Sequence, residues 1–250
     1  MQTQFYGKNK TLFGQKSRQL LNLKNVTHID DKTDTEHNLG TFKITWTQAW
    51  LAGASASTAI GSWKTIKLGS KTKYYQYDGT NKAPLITPYN GTSTNKIYSY
   101  KENGIIIVLT ENTTREYYNP VGLATVFGAL AQVEYEDIVS NGSVTSDGHG
   151  APSVTHINGF NADFKYLRKD KKRGNIDAGI FPIYVNNSEL DITRQNEFLE
   201  ALHKFGWGVT KNNLSHYINE AKKTLLKYCQ KDEDHKDHLH IQGFKANYRN

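Results

Sequence analysis

Strand-like patterns of apolar and polar residues recur in the first 118 positions of the chain. Thr41-Phe42-Lys43-Ile44-Thr45-Trp46 carries apolar side chains at every second position, the period of a strand with one buried face, and Trp63-Lys64-Thr65-Ile66-Lys67-Leu68 is again strand-like. Residues 105–109 are an unbroken apolar run, which predicts a strand buried on both faces, and Lys101-Glu102-Asn103-Gly104 before it reads as a turn. Residues 1 to about 40 are polar apart from Leu20-Leu21-Asn22-Leu23 and read as an arm or a loosely packed opening segment. Residues 50–60, rich in Ala, Ser and Gly, fit either a small-residue helix or a loop. Residues 71–118 are rich in tyrosine (Tyr74, Tyr75, Tyr77, Tyr89, Tyr98, Tyr100, Tyr117, Tyr118) and punctuated by Gly, Asn and Thr, predicting short strands and turns. Aromatic residues favour strands, so sheet packing leads over a carbohydrate-binding role for these tyrosines.

Past Asn119 the period changes. Pro120 opens a predicted helix over 121–134, with Leu123, Val126, Phe127, Leu130 and Val133 recurring at three and four. A second helix is predicted over 193–205, with Phe198, Leu202 and Phe205 on one face and Gly206 as its stop. A third runs from Ser215, a good N-cap, to Cys229, with Ile218, Ala221 and Leu225 in register. Short strands are predicted at 138–145, 160–167, 207–209 and 238–242. The fold class is α+β, an antiparallel sheet flanked by helices with a strand-rich N-terminal half. The expected division is a Tyr-rich region over 1–114 and a domain over 115–250. If 105–109 is instead a central strand of the same sheet, the chain is one domain.

Two pieces far apart carry the chemistry: His156-Ile157-Asn158-Gly159-Phe160-Asn161-Ala162-Asp163 and Asp237-His238-Leu239-His240. In the alternating run from His238 to Gln242, both imidazoles face one cleft while Leu239 and Ile241 pack behind. Asn158-Gly159 is a turn signal that can fold His156 back toward Asp163. Catalytic zinc takes three protein ligands from His and Asp/Glu and keeps a fourth position for water. Among nine histidines a His-x-His pair is commonplace, but its combination in this order with a spaced His and Asp is not.

The order His156, six residues, Asp163, then a distant His238-x-His240 resembles the LAS group of zinc peptidases. That group holds lysostaphin-like enzymes, D-alanyl-D-alanine peptidases, penicillin-insensitive murein endopeptidases and the hedgehog fold. The resemblance covers roughly 119–244. It implies zinc held by His156, Asp163 and His240, with His238 beside the metal as a catalytic residue. Asp237 fits a slot where the D-alanyl-D-alanine branch carries Glu or Asp, as the alternative base or as the group that orients an imidazole. Gly159 falls where many members carry glycine. Val154 and Asn161 depart from that branch, which has Ser and Ala there. The implied activity is a peptidoglycan endopeptidase or carboxypeptidase cutting stem or cross-link peptides; D-alanyl, L-alanyl-D-glutamyl and diaminopimelyl bonds all stay open. Phage lysins and secreted or injected antibacterial effectors work this way, which would add an immunity protein or secretion machinery as partners.

Composition narrows the alternatives. A chain of 250 residues with 37% hydrophobic and 12% aromatic content can bury a substantial core and is not a disordered type. The net charge of +7 points to an acidic partner, and a wall rich in carboxylates and phosphates suits the zinc site better than nucleic acid, which gives the His/Asp spacing no purpose. Arg168-Lys169-Asp170-Lys171-Lys172-Arg173-Gly174 is expected at the cleft edge, as a solvated tip or a handle on an anionic substrate. The competing reading is a non-catalytic wall-binding module with a structural metal, which a fourth ligand such as His149 or His235 would support. The single cysteine, Cys229, excludes an internal disulfide and reads as a core residue. The first residues lack the apolar run of a secretory signal, and the longest apolar stretch, 121–133, is too short to span a membrane. Action at the wall or periplasm would then need a non-classical route from the cytoplasm.

Overall fold

A computed structural model of the chain describes residues 3–6, 10–13, 23–29, 36–51, 63–68, 72–89, 96–102, 104–153, 155–208, 215–216 and 226–244. The opening segment is a sheet and not an arm. Thr3–Tyr6 (β1), Lys10–Phe13 (β2), Leu23–Ile29 (β3) and Glu36–Lys43 (β4) pair in the order β2-β1-β3-β4. Backbone pairing does not need an apolar face, which is why polar strands escape a search for alternation. Thr45–Gln48 (β5), Trp50–Leu51 (β6), Trp63–Leu68 (β7), Thr72–Tyr77 (β8) and Lys82–Leu85 (β9) follow; β5 pairs with β9, and β8 lies between β6 and β7. The expected strand at 63–68 is thus present, and of the stretch at 50–60 only β6 is described.

The central layer is a five-stranded sheet. Lys96–Glu102 (β10) and Ile105–Glu111 (β11) form a hairpin whose turn includes Gly104. Next come a helix, Pro120–Val133 (α1), and two short strands, Val139–Gly142 (β12) and Ala162–Phe164 (β13). The second helix, Ile192–Lys204 (α2), is followed by Ser215–His216 (β14), Cys229–Gln230 (β15) and Leu239–Ile241 (β16). The sheet order is β10-β11-β12-β13-β16, antiparallel throughout except that β11 and β12 run parallel. Two of its five strands precede residue 114, so the sheet runs across the expected boundary, with 105–109 as an interior strand. The strand-rich α+β class stands.

Both helices form where the pattern places them. Asn119 caps α1 by accepting from the Val121 N–H, Pro120 occupies the first turn, and Asp191 caps α2 by accepting from the Arg194 N–H. Leu123, Phe127 and Leu130 of α1 and Phe198, Leu199 and Leu202 of α2 share one core with Ile107, Leu109, Phe164, Leu239 and Ile241 of the sheet. The opposite face of β13 and β16 is left for the polar residues. Tyr74, Tyr89 and Tyr118 are buried, as sheet packing requires.

Two expectations at the C-terminal end change. Trp207 sits in a turn and not a strand, because its indole is buried and donates to Thr125 Oγ1 at 3.0 Å. The described ends of the third expected helix, β14 and β15, pair with each other in parallel, and 217–225 lie outside the described residues. Cys229 is half-buried against the core. No helix among the described residues is long and apolar enough to cross a membrane.

Candidate metal centre

Asp163 of β13 lies directly opposite His240 of β16. Their neighbours Ala162, Phe164, Leu239 and Ile241 enter the core, so both polar side chains emerge on the other face, as the alternation predicts. His156 reaches them from the loop before β13. The Asn158-Gly159 turn forms with both residues at positive φ, 54° and 72°. A Cβ at Gly159 would lie 2.2 Å from the Asn119 backbone nitrogen, whose N–H donates to the Gly159 carbonyl, so only glycine fits. The turn is gripped from the N-terminal half. The Asn158 side chain accepts from the Trp50 N–H and donates to the Trp50 carbonyl, both at 2.9 Å, and the Trp50 indole and Thr47 hydroxyl both donate to the Asp147 carbonyl.

Three ligand atoms meet on this face. His156 Nε2 lies 2.9 Å from His240 Nδ1 and 3.1 Å from Asp163 Oδ1, and His240 Nδ1 lies 2.8 Å from the same oxygen. All three residues are buried. His156 Nδ1 is 2.9 Å from the Ser143 carbonyl, which can only accept, so the proton sits on Nδ1 and Nε2 turns a lone pair inward. His240 Nε2 lies 3.3 Å from Gln242 Oε1; donating there leaves Nδ1 as the inward lone pair. Two imidazole lone pairs and a carboxylate at this range repel one another unless a proton or a metal ion lies between them.

The group could hold a metal ion. Zinc bonds of about 2.0–2.2 Å in a tetrahedral set put ligand atoms about 3.4 Å apart, a few tenths of an ångström wider than the triangle here. Burial alone would raise the Asp163 pKa, but without a metal the imidazoles in their protonated form, donating to its carboxylate, more than reverse this and hold it well below the usual range. Its other oxygen, Oδ2, accepts from the Arg115 guanidinium at 3.3 Å, and Arg115 also donates to the Asn141 carbonyl at 2.7 Å.

The other expected residues lie around this triangle. His238 Nε2 is 3.7 Å from Asp163 Oδ1, while His238 Nδ1 is 2.8 Å from Asp237 Oδ1. The His238 side chain is 20% exposed and that of Asp237 58%, so the centre meets solvent on this side. His149 packs instead against Trp50 and Tyr74. The His235 ring lies 4.9 Å from that of His238 and 5.0 Å from that of His240, outside the three-ligand group. Burial keeps its imidazole pKa low despite Asp232. The basic run is not at the centre. Lys171 and Arg173 line a cavity of about 820 Å³ with Ile97, Val108, Tyr135 and Arg194, and none of the three ligands borders it.

Arg115, Ser143 and Gln242 support the centre, and Lys165 is buried two positions beyond Asp163; none was singled out in the sequence. Gln242 and Lys165 each stand two positions beyond a ligand, so strand alternation could have found them. Arg115 and the Ser143 carbonyl carry no sequence signal, being contacts made across the fold. No family model matches the chain, and neither a curated protein nor a solved structure matches it, so its chemistry is read from this geometry.

Proposed function

We propose that the chain is a zinc-dependent peptidase acting on stem or cross-link peptides of the bacterial cell wall. The observation that carries this reading is the buried His156, Asp163 and His240 triangle with a fourth, half-buried imidazole, His238, beside it. Zinc, when bound, supplies a Lewis acid and a water of lowered pKa. The chain's own residues do the rest. His156 and His240 are fixed in tautomer by the Ser143 carbonyl and Gln242 Oε1. Arg115 holds the second oxygen of Asp163, leaving Oδ1 for the centre. Asp237 takes the Nδ1 side of His238, so Nε2 is free to hold or move a proton on the ligand face. Asp237 therefore acts as the orienting partner and His238 as the proton carrier.

A set of three ligands with a solvent-facing side supports catalysis over a purely structural metal, since structural zinc is normally closed by a fourth protein ligand. The net charge of +7 suits an acidic wall polymer. The resemblance to LAS peptidases in the order of these residues supplies the substrate class. Metal analysis combined with digestion of purified peptidoglycan, the fragments identified by mass, tests the proposal. His238→Ala is expected to keep zinc and lose hydrolysis by about 10²-fold or more, the usual scale for a proton-transfer group. Asp237→Ala is expected to cost less. A wall left intact by the zinc-loaded protein would refute the reading.

A further inference from the structure

Lys165 lies on the ligand face and has no part in the chemistry above. Asp163 pairs with His240 and Phe164 with Leu239, and Lys165 and His238 are the residues just beyond that last pair, where the two strands end. Phe164, Tyr166 and Leu239 enter the core, which turns Lys165 toward the centre. It is 8% exposed, and its ammonium donates to Asn141 Oδ1 at 2.6 Å. Asn141 is the extra residue where the register of β12 against β13 shifts, and Arg115 fixes its carbonyl.

A lysine so removed from water is normally matched by a carboxylate. Here the hydrogen-bond partner is a neutral amide. The acidic group that acts on Lys165, Asp237, is exposed and hydrogen-bonded to His238. The ammonium therefore keeps N–H donors and a charge that burial opposes and only the exposed Asp237 offsets, two positions beyond the ligand Asp163. Its neighbour Arg115 is engaged with Asp163 and Asn141. An anion entering the cleft would find its counter-charge at Lys165.

We infer that Lys165, held by Asn141, binds a substrate carboxylate adjacent to the scissile bond, so that the protein takes acidic peptides in preference to their amidated counterparts. This rests on the peptidase reading for its substrate class, but binding of the carboxylate does not require turnover. The stem peptide offers two such groups, the α-carboxyl of its γ-linked D-glutamyl residue and its C-terminal carboxyl.

The test uses the full, zinc-loaded chain and the peptide L-alanyl-γ-D-glutamyl-L-lysyl-D-alanyl-D-alanine. Two further forms are amidated at the D-glutamyl α-carboxyl or at the C-terminus. Calorimetry gives Kd, and initial rates give kcat/KM wherever cleavage occurs. In the wild type, one of the two amidations should weaken binding about tenfold or more, the scale of one charge-assisted hydrogen bond. Lys165→Met should bind all three peptides alike with its zinc retained. If that variant does not fold, Asn141→Asp decides, since it sets a carboxylate of equal size against the ammonium and should also erase the preference. A wild type that binds none of the peptides, or all three alike, overturns the assignment, as does a penalty that persists in the variants. Discrimination without cleavage would sink the peptidase reading and leave Lys165 as the carboxylate site.

Discussion

Asp163 and Glu111 are both buried carboxyl groups of the five-stranded sheet, and their surroundings drive them in opposite directions. Glu111 ends β11 on the helix-covered side, where Tyr118 donates to it at 2.9 Å and also lies 2.7 Å from Ser140 Oγ. Burial pushes its pKa well above the carboxylate range, and hydrogen bonds from tyrosines offset only part of this. Asp163 also suffers burial, but charge and hydrogen bonds from His156 and His240 outweigh it and its pKa falls, while Arg115 pairs with its other oxygen. Depth is therefore not what sets charge in this sheet. The helix side offers hydroxyls and favours a neutral acid; the other side offers cations and keeps an anion fit for a metal.

The most drastic way to break this contrast is to delete residues 1–111. That removes β10 and β11, and with them Ile107, Leu109 and Glu111. The remainder is expected not to fold or to bind zinc, as solubility, circular dichroism and metal analysis would show. A soluble, zinc-loaded fragment would mean that the two carboxyl environments are independent. Next in size, Asp163→Asn should lose the metal while circular dichroism stays native, because it removes the one anionic ligand of the three. His156→Ala and His240→Ala should do the same. Full zinc in all three variants would mean that the centre is misplaced, against an expected wild-type content of about one ion per chain.

Arg115→Met tests the cationic surroundings alone. It leaves the ligands in place and should weaken zinc affinity about 10- to 100-fold in competition with a chelator, the usual cost of losing a group that orients a ligand. The mildest change is Glu111→Gln. A carboxyl whose folded pKa is raised contributes its stability fully below the unfolded pKa, and loses it as pH rises toward the folded pKa. The wild type should match the variant in acid and then fall behind by up to about 1.4 kcal/mol per pH unit. Melting curves of both proteins in paired buffers from roughly pH 4 to 8 would show this. Parallel curves would mean that Glu111 is ionised in the fold.

The sequence made the centre legible because a strand repeats every two residues. His238 and His240 on one face, Leu239 and Ile241 on the other, needed no knowledge of the partner strand. Both capped helices were legible for the same local reason. The opening sheet was not, since its strands are polar and defined by their pairing. Trp207 was misread because what fixes it is a distant hydroxyl on α1, that of Thr125. Arg115 was invisible for a similar reason. It meets Asp163 from 48 positions away, and nothing around it in the chain marks it.

His156 and His240 stand 84 residues apart in the chain, and Cys229 has no second cysteine to join. A metal ion gripping both ends would shut a loop of that length as a cross-link does, which in a chain-entropy picture is worth about 4.6 kcal/mol. The turn bearing His156 is also tied to Trp50, so the loop would bring part of the N-terminal half with it. Such a chain would carry one clasp, and a chelator could open it.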